Sequence, residues 1–279
     1  MISERHDRSP SRVERFRQLH ESGCFVIPNP WDVGSARVLV GLGFHALATT
    51  SSGAAWSLGR PDHHVTLEDA LAHFRTIAAS VGVPVNGDFE SGFAVQPDDV
   101  AVHVRAAALT GVAGLSIEDS TDDAANPLFD YGLAVERIRA ARQALDETGK
   151  GLLLTGRSEG FIAGRPNLAE TIRRLTAYAE AGADCLYAPG LKSHDDIAAV
   201  VNALSPKPVN VLVGTDFTTV KQLAVLGVRR ISVGGALART AWTGFLAAAR
   251  EIARQGTFSG FRGATSGAEL NGLFGGDMR

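Results

Sequence analysis

Eight short apolar runs rich in Val, Ile, Leu and Ala recur along the chain: CFVIP (24–28), FHALATT (44–50), VPVNGD (83–88), VAGLSIE (112–118), GLLLTGR (151–157), DCLYAP (184–189), PVNVLV (208–213) and RRISVGG (229–235). Between them lie segments whose apolar residues repeat every three or four positions, such as LEDALAHFRTIAASVG, QPDDVAVHVRAAALTG, YGLAVERIRAARQALDETG and NLAETIRRLTAYAEAG, several ending at glycine. Near-continuous apolar runs predict strands covered on both faces. Their alternation with helices predicts a parallel sheet, because each crossover must return across one face. Eight such units predict a closed (β/α)8 TIM barrel. A doubly wound open sheet is the competing architecture, but the G-x-G-x-x-G turn that would mark it is missing from IPNPWDVGSAR after the first run.

The pattern divides the chain into an N-terminal helix or arm (1–23), the barrel (24–256) and a Gly-rich C-terminal tail (257–279). The tail reads as loosely ordered, or as a docking segment between subunits that uses its scattered Phe and Leu. With 279 residues, 45% of them hydrophobic, the chain can bury one large core. A formal net charge of -3 without a Lys/Arg block argues against a nucleic-acid partner. No apolar run approaches bilayer length, and MISERHDRSPSRVERFRQLH lacks the apolar core of a secretory signal, so a cytoplasmic protein without a membrane partner is expected. Cys24 and Cys185 each sit inside an apolar run and read as core residues, not as a disulfide.

The ends of the predicted strands carry a biased set: Thr50, Ser51 and Ser52 after the second, Asp88 and Glu90 after the third, Glu118 and Asp119 after the fourth, Arg157 and Glu159 after the fifth. In a barrel these ends meet at one mouth, where catalytic groups sit. Asp88, Glu90 and Glu118 would there surround one hard cation through oxygen and water, which suits Mg2+ (or Mn2+) better than zinc. The plainer reading makes them helix caps or partners of Arg157. A guanidinium beside such a site can grip a substrate carboxylate with two prongs, and Glu159 would fix its orientation. ATTSSGAAWSLGRPD offers hydroxyls and, around Gly53, close backbone N–H groups as an anion cradle. His63 and His64 read as loop histidines. VGGALART reads either as a helix start receiving a phosphate or as glycines demanded by tight packing.

Taken in order, PNPWDVGSARVLVGLGFHALATTSSGAAWSLGRPD, NGDFESGF, GLSIEDS, GRSEGF and GVRRISVGG resemble the isocitrate lyase and phosphoenolpyruvate mutase superfamily, and within it the carboxyphosphonoenolpyruvate phosphonomutase-like branch. The resemblance implies a (β/α)8 barrel whose last helix is exchanged between subunits, in a homo-oligomer (dimer or tetramer) with Mg2+ at the mouth. It implies Asp88 as a metal ligand, with Glu90 and Glu118 acting mostly through water. Asp62, closing SLGRPD, matches the acid near the reacting group, Arg157 the arginine that contacts substrate, and Thr50, Ser51 and Ser52 the loop that binds its carboxylate. Members act on small 2-oxo or 2-hydroxy acids, with Mg2+ stabilising a developing enolate.

The chain departs from the best-known branches. It has no K-K-C-G-H loop with the cysteine of the isocitrate-type lyases, and EDSTDDAANPLFDYG replaces the mutases' lysine-containing loop. Asn126 stands at the mutase asparagine's spacing from Glu118, but LYAPGL lacks the mutase histidine. The expectation is a Mg-dependent lyase or decarboxylase acting on a small 2-oxo or 2-hydroxy (di)carboxylic acid. The alternatives are a phosphorus–carbon bond enzyme, of phosphoenolpyruvate mutase or phosphonopyruvate hydrolase type, and a catalytically silent metabolite-binding barrel.

Overall fold

A computed structural model describes residues 10–121 and 123–275. Helix α1 (Arg12–Glu21) precedes strand β1 (Phe25–Ile27), α2 (Val33–Gly41), β2 (Leu47–Ala48), α3 (Ser51–Ser57), α4 (Leu67–Ser80), β3 (Val85–Asp88), α5 (Pro97–Ala108) and β4 (Gly114–Glu118). There follow α6 (Tyr131–Glu147), β5 (Leu153–Arg157), α7 (Leu168–Glu180), β6 (Cys185–Tyr187), α8 (His194–Leu204), β7 (Val209–Leu212), α9 (Val220–Val225), β8 (Arg230–Ser232), α10 (Ala236–Gln255) and α11 (Gly267–Gly275). Each of the eight predicted runs contains one strand.

All strand pairs are parallel, in the order β1-β8-β7-β6-β5-β4-β3-β2. The Ala48 amide donates to the Pro28 carbonyl at 3.1 Å, bringing β2 back beside β1. The architecture is the (β/α)8 TIM barrel that the alternation predicts. Successive strand residues point to opposite faces, so Leu115, Ile117, Leu154 and Leu186 join Phe74, Ile77, Val100 and Tyr178 in the core between sheet and helices. The opposite set, including Asn86, Asp88, Ser116, Glu118, Arg157, Asn210 and Arg230, lines the barrel interior.

Helix α1 closes the N-terminal end of the barrel. Its arginines donate to carbonyls on the strand-entry side, Arg12 to Ala78 in the last turn of α4 at 2.6 Å, and Arg15 and Arg17 to the loop residues Gly82 and Gly151, each at 2.8 Å. Phe16 packs inward with Ile27, Ala46, Ala48, Ala113 and Leu153.

At the other terminus α10 buries only Ala238 among its residues. Leu237, Trp242, Phe245, Leu246 and Ile252 are exposed, Phe245 by 60%. The tail read as loosely ordered contains α11, which returns to its own chain and contacts α2.

Candidate active site

The question posed by VPVNGDFESGF is why an apolar strand ends in acids between glycines, and packing answers half of it. A Cβ on Gly87 would lie 2.8 Å from the Phe74 ring and 2.9 Å from Leu115, so only glycine lets α4 and β4 close on β3. Asp88 then faces the barrel mouth. The Ser51 backbone N–H and hydroxyl donate to its Oδ2 at 3.0 and 3.1 Å, and its own N–H donates to Thr49 Oγ1 at 2.9 Å. Beyond it the chain turns sharply, with Glu90, Gly92 and Phe93 at φ of 46°, 78° and 56°. Left-handed backbone at two non-glycine residues in one turn is strain of the kind that collects at functional sites.

Arg157, at the end of β5, is the hub. Its Nη1 lies 2.9 Å from Glu118 Oε2 and 3.3 Å from Asp88 Oδ1, and its Nε bonds Glu159 Oε1. The Tyr187 ring lies beneath the guanidinium, 5.2 Å from ring centre to Cζ. Ser120 donates to the remaining oxygen of Glu118. Burial raises the Glu118 carboxyl, and pushes Glu159 up to about 8 against the pull of the guanidinium. The Glu159 backbone N–H donates to Asp119 Oδ1 at 2.7 Å, while Tyr178 and Arg174 hold Asp119 Oδ2 at 2.6 and 3.1 Å. The buried Asp119 thereby ties the end of β5 to α7.

A cavity of about 170 Å3 runs inward from these groups. Asp62, His63, Thr50, Ser51, Ser52, Asp88, Glu118 and Arg157 all line it, with Ser51 directly against Asp88. The structure thus brings together Asp62, Thr50, Ser51, Ser52, Asp88, Glu118 and Arg157, with Glu159 behind the arginine. Gly53 contributes space, since a Cβ there would meet Thr50 at 2.7 Å and Trp31 at 2.9 Å. Its N–H donates to Thr50 Oγ1 at 3.4 Å.

Two further expected site residues do not line this cavity. Glu90 lines a neighbouring cavity of about 530 Å3, walled by Phe74, Ile77 and Val65, that shares Asp88 with the mouth. Asn126 is exposed and donates its amide to Asp123 Oδ2 at 3.0 Å, away from Arg157. The helix start in VGGALART is also committed, because the Val233 and Gly234 N–H groups both donate to Asn29 Oδ1 at 2.9 Å. A Cβ on Gly235 would meet Ser52 Oγ at 2.7 Å, so tight packing accounts for that glycine.

Sequence reading missed Thr49, Ser120, Tyr187 and Asn29. Ser120 and Tyr187 follow or end predicted strands and could have been found by the strand-end rule. Asn29 could have been found the same way after β1.

Among the described residues, no three His, Cys, Asp or Glu side chains cluster to ligate one ion directly. Asp88 and Glu118 nevertheless converge on one nitrogen of Arg157, in an all-oxygen setting beside an open cavity. That donor set fits Mg2+, which is commonly held by one or two carboxylates and keeps several waters. It does not fit zinc, which would want nitrogen or sulfur.

The class defined by fold and site is a (β/α)8 barrel with a carboxylate-ringed arginine at its C-terminal mouth. The phosphoenolpyruvate phosphomutase family pattern matches residues 16–253, and the chain belongs to that family. It is similar to a crystal structure from Burkholderia cenocepacia J2315 provisionally described as a lyase/mutase, 46% identical with a TM-score of 0.92, covering 95% of this chain and 97% of that one. An oxaloacetate decarboxylase of Bradyrhizobium diazoefficiens is 30% identical over 201 residues, 69% of this chain and 68% of its own. The structure of an oxaloacetate acetylhydrolase bound to its product oxalate is 27% identical, with a TM-score of 0.84, over 95% of each chain.

Proposed function

We propose that the protein is a Mg-dependent lyase or decarboxylase that breaks a carbon–carbon bond in a small 2-oxo or 2-hydroxy dicarboxylic acid. The observation that carries this reading is the charge balance of the mouth. Three carboxylates, Asp88, Glu118 and Glu159, contact one guanidinium. Burial raises two of them, Glu118 and Glu159; with all three ionised the group would keep two negative charges beside a cavity, and a divalent cation would offset these and favour the ionised forms. Asp88 and Glu118 would hold Mg2+, and when bound it would supply the positive charge that offsets an oxyanion developing on the substrate.

The chain's own residues do the rest. Arg157, fixed by Glu159 and Tyr187, has its Nε and Nη1 committed to carboxylates and presents Nη2 to the carboxylate of the substrate. The Thr50 and Ser52 hydroxyls, 3.0 Å apart, supply adaptable donors in the same cavity. Ser51 acts indirectly, since both of its donors hold Asp88 in place. Asp62, which also lines the cavity, is the group able to exchange a proton there. A decarboxylase and an acetylhydrolase of oxaloacetate among the relatives support the choice of bond and substrate class. The turned-away Asn126 supports it over phosphorus–carbon chemistry.

The test is thermal unfolding with oxalate, which mimics the planar enolate of pyruvate, with and without Mg2+. Stabilisation that needs both components, followed by pyruvate release from oxaloacetate, is the expected result. Phosphate or phosphoenolpyruvate formed from phosphonopyruvate instead would transfer the site to phosphorus–carbon chemistry, and no joint stabilisation would leave the silent barrel. The same reading assigns the exposed apolar stripe of α10 to a second copy of the chain, by exchange of this helix.

A further inference from the structure

The interior layer beneath the mouth is polar where such barrels ordinarily carry Val, Ile and Leu. Asn86, Ser116, Thr155, Asn210 and Arg230 occupy it, all buried. Arg230 is 3% exposed and makes no ion pair among the described residues. Its Nε donates to Asn210 Oδ1 at 2.9 Å, one Nη2 hydrogen to Thr155 Oγ1 at 3.0 Å, and one Nη1 hydrogen faces His20 Nε2 at 3.3 Å. His20 donates its other ring nitrogen to the Phe16 carbonyl at 2.8 Å and so meets Arg230 as a neutral acceptor. Two of the five guanidinium hydrogens remain unassigned, and the full charge has no counter-charge. A buried cation with neutral partners alone is costly.

A second, independent observation lies across the same cavity. Asn86, 3% exposed, has its Oδ1 buried without a hydrogen-bond partner, while its Nδ2 reaches the Gly87 carbonyl at 3.3 Å. A half-turn of that amide would aim its NH2 donor where the orphaned oxygen now sits. Both residues line the mouth cavity. A buried cation without an anion and an uncommitted amide on opposite sides of one cavity describe a receiver for an anionic group.

The strand geometry supplies its size. Thr155, which holds Arg230, precedes Arg157 by two residues on β5, and Asn86 precedes Asp88 by two on β3, a rise of about 6.6 Å. Three C–C bonds of about 1.5 Å separate the carboxyl carbons of a four-carbon diacid, placing its outermost oxygens about 6 Å apart. One carboxylate at the mouth would put the other one layer down.

Resting on the substrate class proposed above, we infer that Arg230, assisted by Asn86, binds the distal carboxylate of a four-carbon dicarboxylic substrate at the floor of the cavity. Arg230 is then the residue that selects diacids over monoacids of the same length.

The experiment is calorimetric titration of the Mg2+-loaded full chain with oxalate, malate and 2-hydroxybutyrate, which carries a methyl group in place of the distal carboxylate. The wild-type protein is expected to prefer malate over 2-hydroxybutyrate by about tenfold or more, the size of a charge-assisted contact. Arg230→Gln is expected to lose that preference while binding oxalate unchanged, because oxalate is too short to leave the mouth. Equal wild-type affinity for malate and 2-hydroxybutyrate, or a preference that survives in Arg230→Gln, overturns the inference. If Arg230→Gln does not fold, the wild-type comparison decides alone. Failure of oxalate to bind the wild-type chain strikes the metal-site reading instead, and the malate preference still judges Arg230.

Discussion

Arg157 shows how one side chain can be both structural and chemical. Its guanidinium pulls against the burial that raises Glu118 and Glu159, and the same contacts hold the arginine rigid at the mouth. Arg157→Lys keeps the charge but cannot span Glu159 and Glu118 with one planar fork. The substitution should lower kcat/KM for oxaloacetate by at least about tenfold, checked by steady-state assay of pyruvate release. Gly87 is the converse case, a residue whose value is what it lacks. Gly87→Ala forces Phe74 or Leu115 to move and should cost about 1–3 kcal/mol of stability, readable from the urea midpoint. The glycine was visible in the sequence, but the rings that require it come from α4 and β4, which no local window contains.

At the scale of elements, the mouth depends on helices that never touch the cavity. Arg137 of α6, 1% exposed, donates to the Val95 carbonyl at 2.7 Å and also to the Ala94 and Ser91 carbonyls, and stacks on Phe129 with Cζ 4.0 Å from the ring centre. Those carbonyls belong to the turn after Asp88, so one helix clamps the strained Glu90–Phe93 segment. Arg137→Met would remove the donor shared by these three half-buried or exposed carbonyls and the buried stack on Phe129, and should destabilise the fold by about 1–3 kcal/mol, measured by urea unfolding, while weakening Mg-dependent oxalate binding. In the sequence Arg137 was one more charge on an amphipathic helix, and nothing in its spacing showed that it points inward.

Helix α1 carries a pH-dependent contact of its own. Burial first, and the Arg230 charge second, hold His20 down to about 3 from its ordinary value near 6.5. The folded protein therefore keeps His20 neutral where the unfolded chain protonates it. Between pH 6.5 and 3 the unfolded state binds more protons, so this residue's contribution to stability is full above pH 6.5 and is lost progressively as pH falls. By pH 5 the loss should be about 2 kcal/mol. Chemical unfolding at pH 7 and pH 5 should show it in the wild-type protein and less of it in His20→Gln. An equal pH dependence in both would place the sensitivity elsewhere.

At the scale of the whole molecule, α10 presents exposed large apolar side chains. Trp242, Phe245 and Leu246 are exposed close together on α10, and Trp242 and Leu246 border an open cleft with Trp56 and Arg60. A second chain that covers them would make Phe245→Asp shift the protein toward monomer in sedimentation at micromolar concentration. A wild-type monomer would remove the exchanged helix from the reading. The expectation came from resemblance, and the sequence shows only that the helix is amphipathic.

The sequence by itself determined the eight strand-and-helix units, their parallel order and the strand-end acids and arginine, because period and run length are local properties set by backbone geometry. It also carried the family, through motifs whose residues lie close together along the chain. Only the tertiary structure decided that Glu90 lines a neighbouring cavity, that Asn126 pairs with Asp123, and that Gly235 of VGGALART serves packing. The same is true of Arg230 and Asn86, which the sequence hid inside apolar runs as ordinary strand residues. Which face a strand residue takes, and what waits across the barrel, depend on the register of strands far apart in the chain. Burial without a counter-charge becomes visible only when those strands close.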